Sequence, residues 1–160
     1  MQADTIRSFE DLECWKACRE VRRYAAGVAR SLPSEERYRL VDQILRAARS
    51  TTANIAEGYG RFHYQENLQF CRQARGSLYE TLDHFIAGND EGLIADEAMA
   101  TLRGLFDSAV QVLNGYINYL DRAARNAKSA ARQNPGRVGE DIEPYGVAPE
   151  PDSEPPPVNE

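Results

Sequence analysis

Two runs of polar side chains stand at spacings that could do chemistry. Ser50, Asn54, Glu57 and Arg61 recur at offsets of 4, 7 and 11 residues, and Gln73, Ser77, Glu80 and His84 repeat those offsets. On helices, each set would gather into one stripe. Carboxylates facing one another between helices suggest a di-iron centre, which needs a Glu from each of two helices and a Glu-x-x-His pair from each of two others. The sequence has two histidines, His63 and His84, and neither follows a glutamate by three residues. Glu80 and His84, four apart, could hold a metal on a helix surface, but no second such pair exists, so no metal is expected.

Nucleophilic chemistry is equally poorly supported. Ser50, Ser77 and the three cysteines (Cys14, Cys18 and Cys71) have no histidine and acidic orienter at a spacing that suggests a triad. Cys14 and Cys18 fall on an apolar stripe, where a cysteine usually acts as a small buried hydrophobe. The stretch GYGR at Gly58–Arg61 lacks the Lys and Ser/Thr of a phosphate-binding loop and follows a helical pattern instead of a strand. No enzyme, cofactor or small-molecule substrate is expected. Arg46, Ser50, Asn54, Glu57, Arg61, Gly76, Ser77 and Glu80 instead read as a structural network that sets the register of two helices. If the hairpin turns at residues 61–62, Gly76 comes opposite Ala47 and lets the backbones approach, and Arg46 pairs with Glu80.

The elements that must position these residues follow from apolar periodicity. Cys14, Cys18, Val21, Ala25, Val28 and Leu32 alternate steps of four and three, the seam of a first helix, with Leu12 and Trp15 widening it. Ser8 and Asp11 resemble a capping box at its start. After Pro33 and Ser34, a second helix carries Leu40, Ile44, Ala48, Thr51 and Ile55, with Glu35 and Glu36 in its first turn, where the helix dipole favours acids. A third carries Leu68, Cys71, Ala74, Leu78, Leu82 and Phe85 and stops at Gly88. A fourth begins near Asp96 and carries Met99, Leu102, Phe106, Ala109, Leu113, Ile117 and Leu120. Short loops between such helices favour antiparallel neighbours. The expected fold is all-α, an antiparallel up-down-up-down four-helix bundle. Phe62, Leu105, Val112, Tyr116 and Tyr119 fall off the main stripes, marking either an oligomer interface or a wider core face.

Charge divides the chain in two. Residues 1–132 carry 18 Lys and Arg against 18 Asp and Glu, while residues 133–160 carry one arginine against seven acids, the whole of the net −6. That last segment is rich in proline and glycine and poor in apolar residues, so residues 1–132 read as one domain and 133–160 as a disordered acidic tail. No apolar run is long enough to cross a bilayer, and the N-terminal residues lack a signal-peptide pattern. With three cysteines in no zinc-like spacing, these features suggest a soluble, bacterial-type cytoplasmic protein.

FEDLECWKACREV from Phe9, RAARSTTANIAEGYGR from Arg46 and FCRQARGSLYETL from Phe70 resemble the four-helix bundle family of 23S rRNA intervening-sequence proteins. Cys18 stands where the family pattern has Ala. Thr51 and Thr52 stand where relatives often carry proline, which leaves a bend in the second helix open, and Ala95 replaces a common serine cap. The resemblance implies a cyclic homopentamer. It also implies kinship with accessory variability proteins of diversity-generating retroelements, which bind nucleic acid and a reverse transcriptase.

The residues themselves offer an arginine surface. Arg19, Arg22, Arg23 and Arg30 cluster on the first helix, Arg46 and Arg49 on the second, and Arg122 and Arg125 near the end of the fourth. Guanidinium groups suit phosphate through their bidentate fork. An accessory factor for RNA or DNA is one function class, and a protein-interaction scaffold displaying acidic tails is the other. An ordinary solvated face remains the alternative for the arginines.

Overall fold

The computed structural model describes residues 6–133. The expected acidic tail, residues 133–160, lies outside the described residues except for Gln133, which ends the last helix. Four helices account for the architecture: α1 (Glu13–Ser31), α2 (Asp42–Gly60), α3 (Tyr64–Asp90) and α4 (Asp96–Gln133), with no strand among the described residues. Each helix packs on its sequence neighbours, α1 closes the ring against α4, and the α2–α3 contact is the most extensive. This is the all-α, up-down-up-down bundle expected from short connections.

Ser8 and Asp11 do form a capping box, but around a short 3-10 turn at Phe9–Asp11. Asp11 Oδ2 accepts from the backbone N–H groups of Arg7 at 2.8 Å and Ser8 at 3.0 Å. Leu12 is then extended, and α1 starts one residue later. Its seam runs Cys14, Cys18, Val21, Ala25 and Ala29, all buried, whereas Val28 and Leu32 are half-buried. A straight helix of 3.6 residues per turn drifts off a strict seven-residue repeat, which brings Ala29 inward in place of Val28.

Pro33 breaks the chain after α1. A 3-10 turn at Ser34–Glu36 and a wider π-helical turn at Arg37–Val41 lead into α2. Within that π turn Tyr38 stands 84 % exposed. α2 then runs unbroken past the two threonines. Both are buried, and their hydroxyls donate within the helix, Thr51 to the Ala47 carbonyl at 3.2 Å and Thr52 to that of Arg49 at 3.3 Å.

The α2–α3 turn contains Phe62, a non-glycine residue in the left-handed region at φ 55°. α3 continues two residues beyond the expected stop at Gly88, because Gly88 is not a helix terminator. It is buried, and a Cβ there would lie 2.7 Å from Ile94 and 2.8 Å from Leu40. The left-handed glycine of this turn is Gly92, at φ 73°. Asn89 Nδ2 donates to the Ile94 carbonyl and to Asp96 Oδ1, both at 2.9 Å, so Asn89 fastens the start of α4 where Ala95 offers no side-chain cap.

The interior is mainly aliphatic, with Ile44, Ile55, Leu68, Leu78, Leu102, Leu113 and Leu120 fully enclosed beside the aromatic Phe85. Each such side chain contributes about 1.5–3 kcal/mol of burial. At 38 residues α4 exceeds the 27 of α3, a difference of about 16 Å at 1.5 Å per residue. Its last buried residue is Leu120, and residues 125–132 are exposed throughout.

Candidate nucleic-acid interface

Antiparallel packing of α1 on α2 places small residues, Ala26 and Ala48, at the floor of a groove and long ones along its rim. Arg22, Arg23 and Arg30 of α1 and Arg49 of α2 line this hollow of about 360 Å³, and no acidic residue joins them. Four of the eight sequence-selected arginines are thus brought together. Arg22 is held firmly, its Nη1 donating to Thr52 Oγ1 of α2 at 2.7 Å. The Arg22 and Arg19 guanidiniums also lie 5.9 and 5.8 Å from the Trp15 ring centre, within cation–π range. Arg23 approaches Glu20 at 3.5 Å, an exposed pair of small energetic weight. Among the described residues, neither Arg30 nor Arg49 has a carboxylate at ion-pair distance.

Arg19 stays beside Arg22 at Trp15 without lining the hollow, and the other three arginines lie elsewhere. Arg46 points outward and its Nε pairs with Asp42 at 2.8 Å. Arg122 and Arg125 sit on the far end of α4, beyond the last buried residue, and Arg125 pairs with Asp121 at 2.6 Å. By topology, that end of the bundle is opposite the α1–α2 turn.

The expected polar network is realised in part. Ser77 Oγ donates to Ser50 Oγ at 3.0 Å across the hairpin, and Asn54 Nδ2 donates to the carbonyl and the hydroxyl of Ser50 at 2.9 and 3.1 Å. Glu57 pairs with Arg61 on its own helix at 2.7 Å. The Arg46–Glu80 pair does not form. Arg46 finds Asp42 one turn away, and Glu80 Oε1 lies 3.6 Å from His84 Nε2. Nor is Gly76 the point of close approach, since a Cβ there would meet nothing within 4 Å. The hairpin register sets Ser50 against Ser77, about one helical turn from the expected alignment. The tight glycine is Gly58, where a Cβ would fall 2.7 Å from Asn67 Oδ1 and 2.8 Å from Phe70 Cβ.

Asn67 was not apparent as a functional position, although it lies four residues before Cys71 on the apolar stripe. It is fully buried, donates through Nδ2 to Tyr116 Oη at 3.0 Å and accepts from Cys71 Sγ at 3.4 Å. Tyr116, read as either an oligomer-interface or a wider-core residue, is therefore part of this chain's own interior at 8 % exposure. Leu105 and Tyr119 are half-buried against the bundle, while Phe62 and Val112 are exposed.

Burial also shapes the thiols. Removal from water pushes Cys18 and Cys71 up to about 12, and the same cause, with its two thiol neighbours, raises Cys14 well above the ordinary thiol value. Such groups are poor nucleophiles near neutral pH. Among the described residues no three His, Cys, Asp or Glu side chains cluster as metal ligands, and no helix is long and apolar enough to cross a membrane.

A helical bundle with an arginine-lined groove is the class of protein this geometry defines. The family model for the 23S rRNA-intervening sequence protein matches residues 10–115, and the chain belongs to that family. The match contains the whole α1–α2 groove and leaves Arg122 and Arg125 outside it. A comparison with curated proteins finds no match.

Proposed function

We propose that this protein is a non-enzymatic accessory factor that binds nucleic acid through the α1–α2 groove. One observation carries the reading: Arg22, Arg23, Arg30 and Arg49 line a single hollow with no carboxylate among its lining residues. The body of the chain is electrically neutral, so this concentration of guanidinium groups is local. A neutral protein with such a surface attracts phosphate at short range and gains little from long-range steering. The family's name directs attention to ribosomal RNA as the first ligand to test. The resemblance noted above adds a homopentameric ring, which would multiply the groove, and a reverse transcriptase as a protein partner.

Titration of the protein with structured RNA and with duplex DNA at two salt concentrations tests the reading. About four phosphate contacts would weaken binding roughly a hundredfold between about 50 and 200 mM salt. The triple variant Arg23→Glu, Arg30→Glu, Arg49→Glu should lose binding to both ligands. Absence of binding at low salt, or equal binding by the triple variant, would instead favour a protein-interaction scaffold.

A further inference from the structure

A second hollow, of about 500 Å³, opens beside the arginine groove, and Arg30 and Leu45 line both. The two form one cleft along α1, from Arg22 to Leu32, a rise of about 15 Å. Its character changes along that length. Guanidinium groups line one end, while Leu32, Pro33, Val41 and Tyr38 line the other. The acid at this second end, Asp42, is already paired with Arg46 at 2.8 Å.

We infer that this cleft takes single-stranded nucleic acid, with one base stacked on Tyr38 and the adjoining phosphates on Arg30, Arg23 and Arg49. The inference rests on the nucleic-acid reading above and specifies its ligand class. Tyr38 is 84 % exposed, an unusual position for a large aromatic ring. The Arg37 guanidinium stands 5.6 Å from the centre of that ring and supports it from one side. An unpaired nucleotide has the same alternation as the cleft, a charged phosphate beside a flat, weakly polar base. A duplex keeps its bases paired and stacked inside, so it can meet the arginines but cannot offer a base to Tyr38.

Fluorescence anisotropy of the full chain with a short labelled single strand, and with the duplex made from it, tests the inference in RNA and DNA forms. Tyr38→Ala should weaken single-strand binding about fivefold to a hundredfold, leaving duplex binding and the salt dependence unchanged. Tyr38→Phe should bind as the unaltered protein does. Because Tyr38 is exposed, helicity by circular dichroism should be the same in all three proteins. Single-strand binding unaffected by Tyr38→Ala would overturn the inference, and the arginine-groove reading would survive if the triple glutamate variant still lost both ligands. Unaltered binding by that triple variant, or no binding by the unaltered chain, would overturn both. A peptide with the sequence of residues 140–160 that bound more tightly than the oligonucleotide would identify an acidic peptide as the occupant and likewise overturn the inference.

Discussion

Gly58 and Gly76 are both helical glycines, yet their surroundings demand opposite responses to the same substitution. Ala at position 58 would drive a methyl group against Asn67 and Phe70, and overpacking should cost about 1–2 kcal/mol after the gain in helix propensity. Ala at position 76 meets nothing within 4 Å and should stabilise by about 0.5–1 kcal/mol. Urea unfolding of the two variants checks both signs. The buried thiols carry a pH dependence. Their folded values are raised above the unfolded value, so the stability they contribute is complete below about pH 8.5 and declines as pH climbs toward the folded value of about 12. The urea midpoint should fall between pH of about 8 and about 10, and Cys18→Ala should flatten that fall. At this scale, residue types were legible where burial alone decided them. Cys14 and Cys18 on a seam of small apolar residues could only be interior. Pairings were less legible, because Arg46 can reach Asp42 on its own helix before any residue of another. Of the two readings for Tyr116, the structure takes the wider core face: its ring is enclosed by the bundle, and a buried asparagine meets its hydroxyl.

Between elements, the sequence revealed which helices exist and which faces they share, since apolar spacing reports both. It did not reveal their axial alignment. That depends on how many residues the turn consumes, and the α2–α3 connection spends Arg61, Phe62 and His63, with Phe62 left-handed. Moving the alignment by about a turn replaces the expected Ala47–Gly76 contact with Ser50–Ser77. α3 likewise runs on to Asp90 instead of stopping at Gly88, because a buried glycine serving close packing looks the same in one dimension as a terminating one. Asn89 is the residue that makes the α3–α4 turn specific. Asn89→Ala removes two hydrogen bonds at the start of α4, and the loss should be about 1–2 kcal/mol. The variant's thermal midpoint measures it, with Thr101→Ala, an exposed residue on α4, as a control expected to change little. The π-helical turn before α2 left no signature in the apolar pattern, although it carries Tyr38. The arginine groove was half visible: its residues were selected, but only packing separates Arg22, Arg23, Arg30 and Arg49 from Arg46, Arg122 and Arg125.

For the molecule as a whole, the distribution of charge matters more than its sum. Residues 1–132 balance, and the net −6 belongs to residues 133–160. An acidic segment tethered to a protein with an arginine groove is expected to compete with polyanions for it. Truncation after Arg132 should therefore raise RNA affinity at low salt, and the difference should vanish at high salt as screening shortens to a few ångströms. Equal affinities at low salt would leave the segment no part in binding. The length of α4 has a separate consequence for how this protein will behave on warming. Past Ala124 the helix leans on no other described residue, and residues 125–132, with three alanines, hold their shape mainly by intrinsic preference. That spar should unwind gradually while the bundle stays intact, giving a sloping ellipticity baseline ahead of the cooperative transition. A melting curve fitted with a flat pre-transition line would credit the domain with an unfolding that belongs to its protruding end.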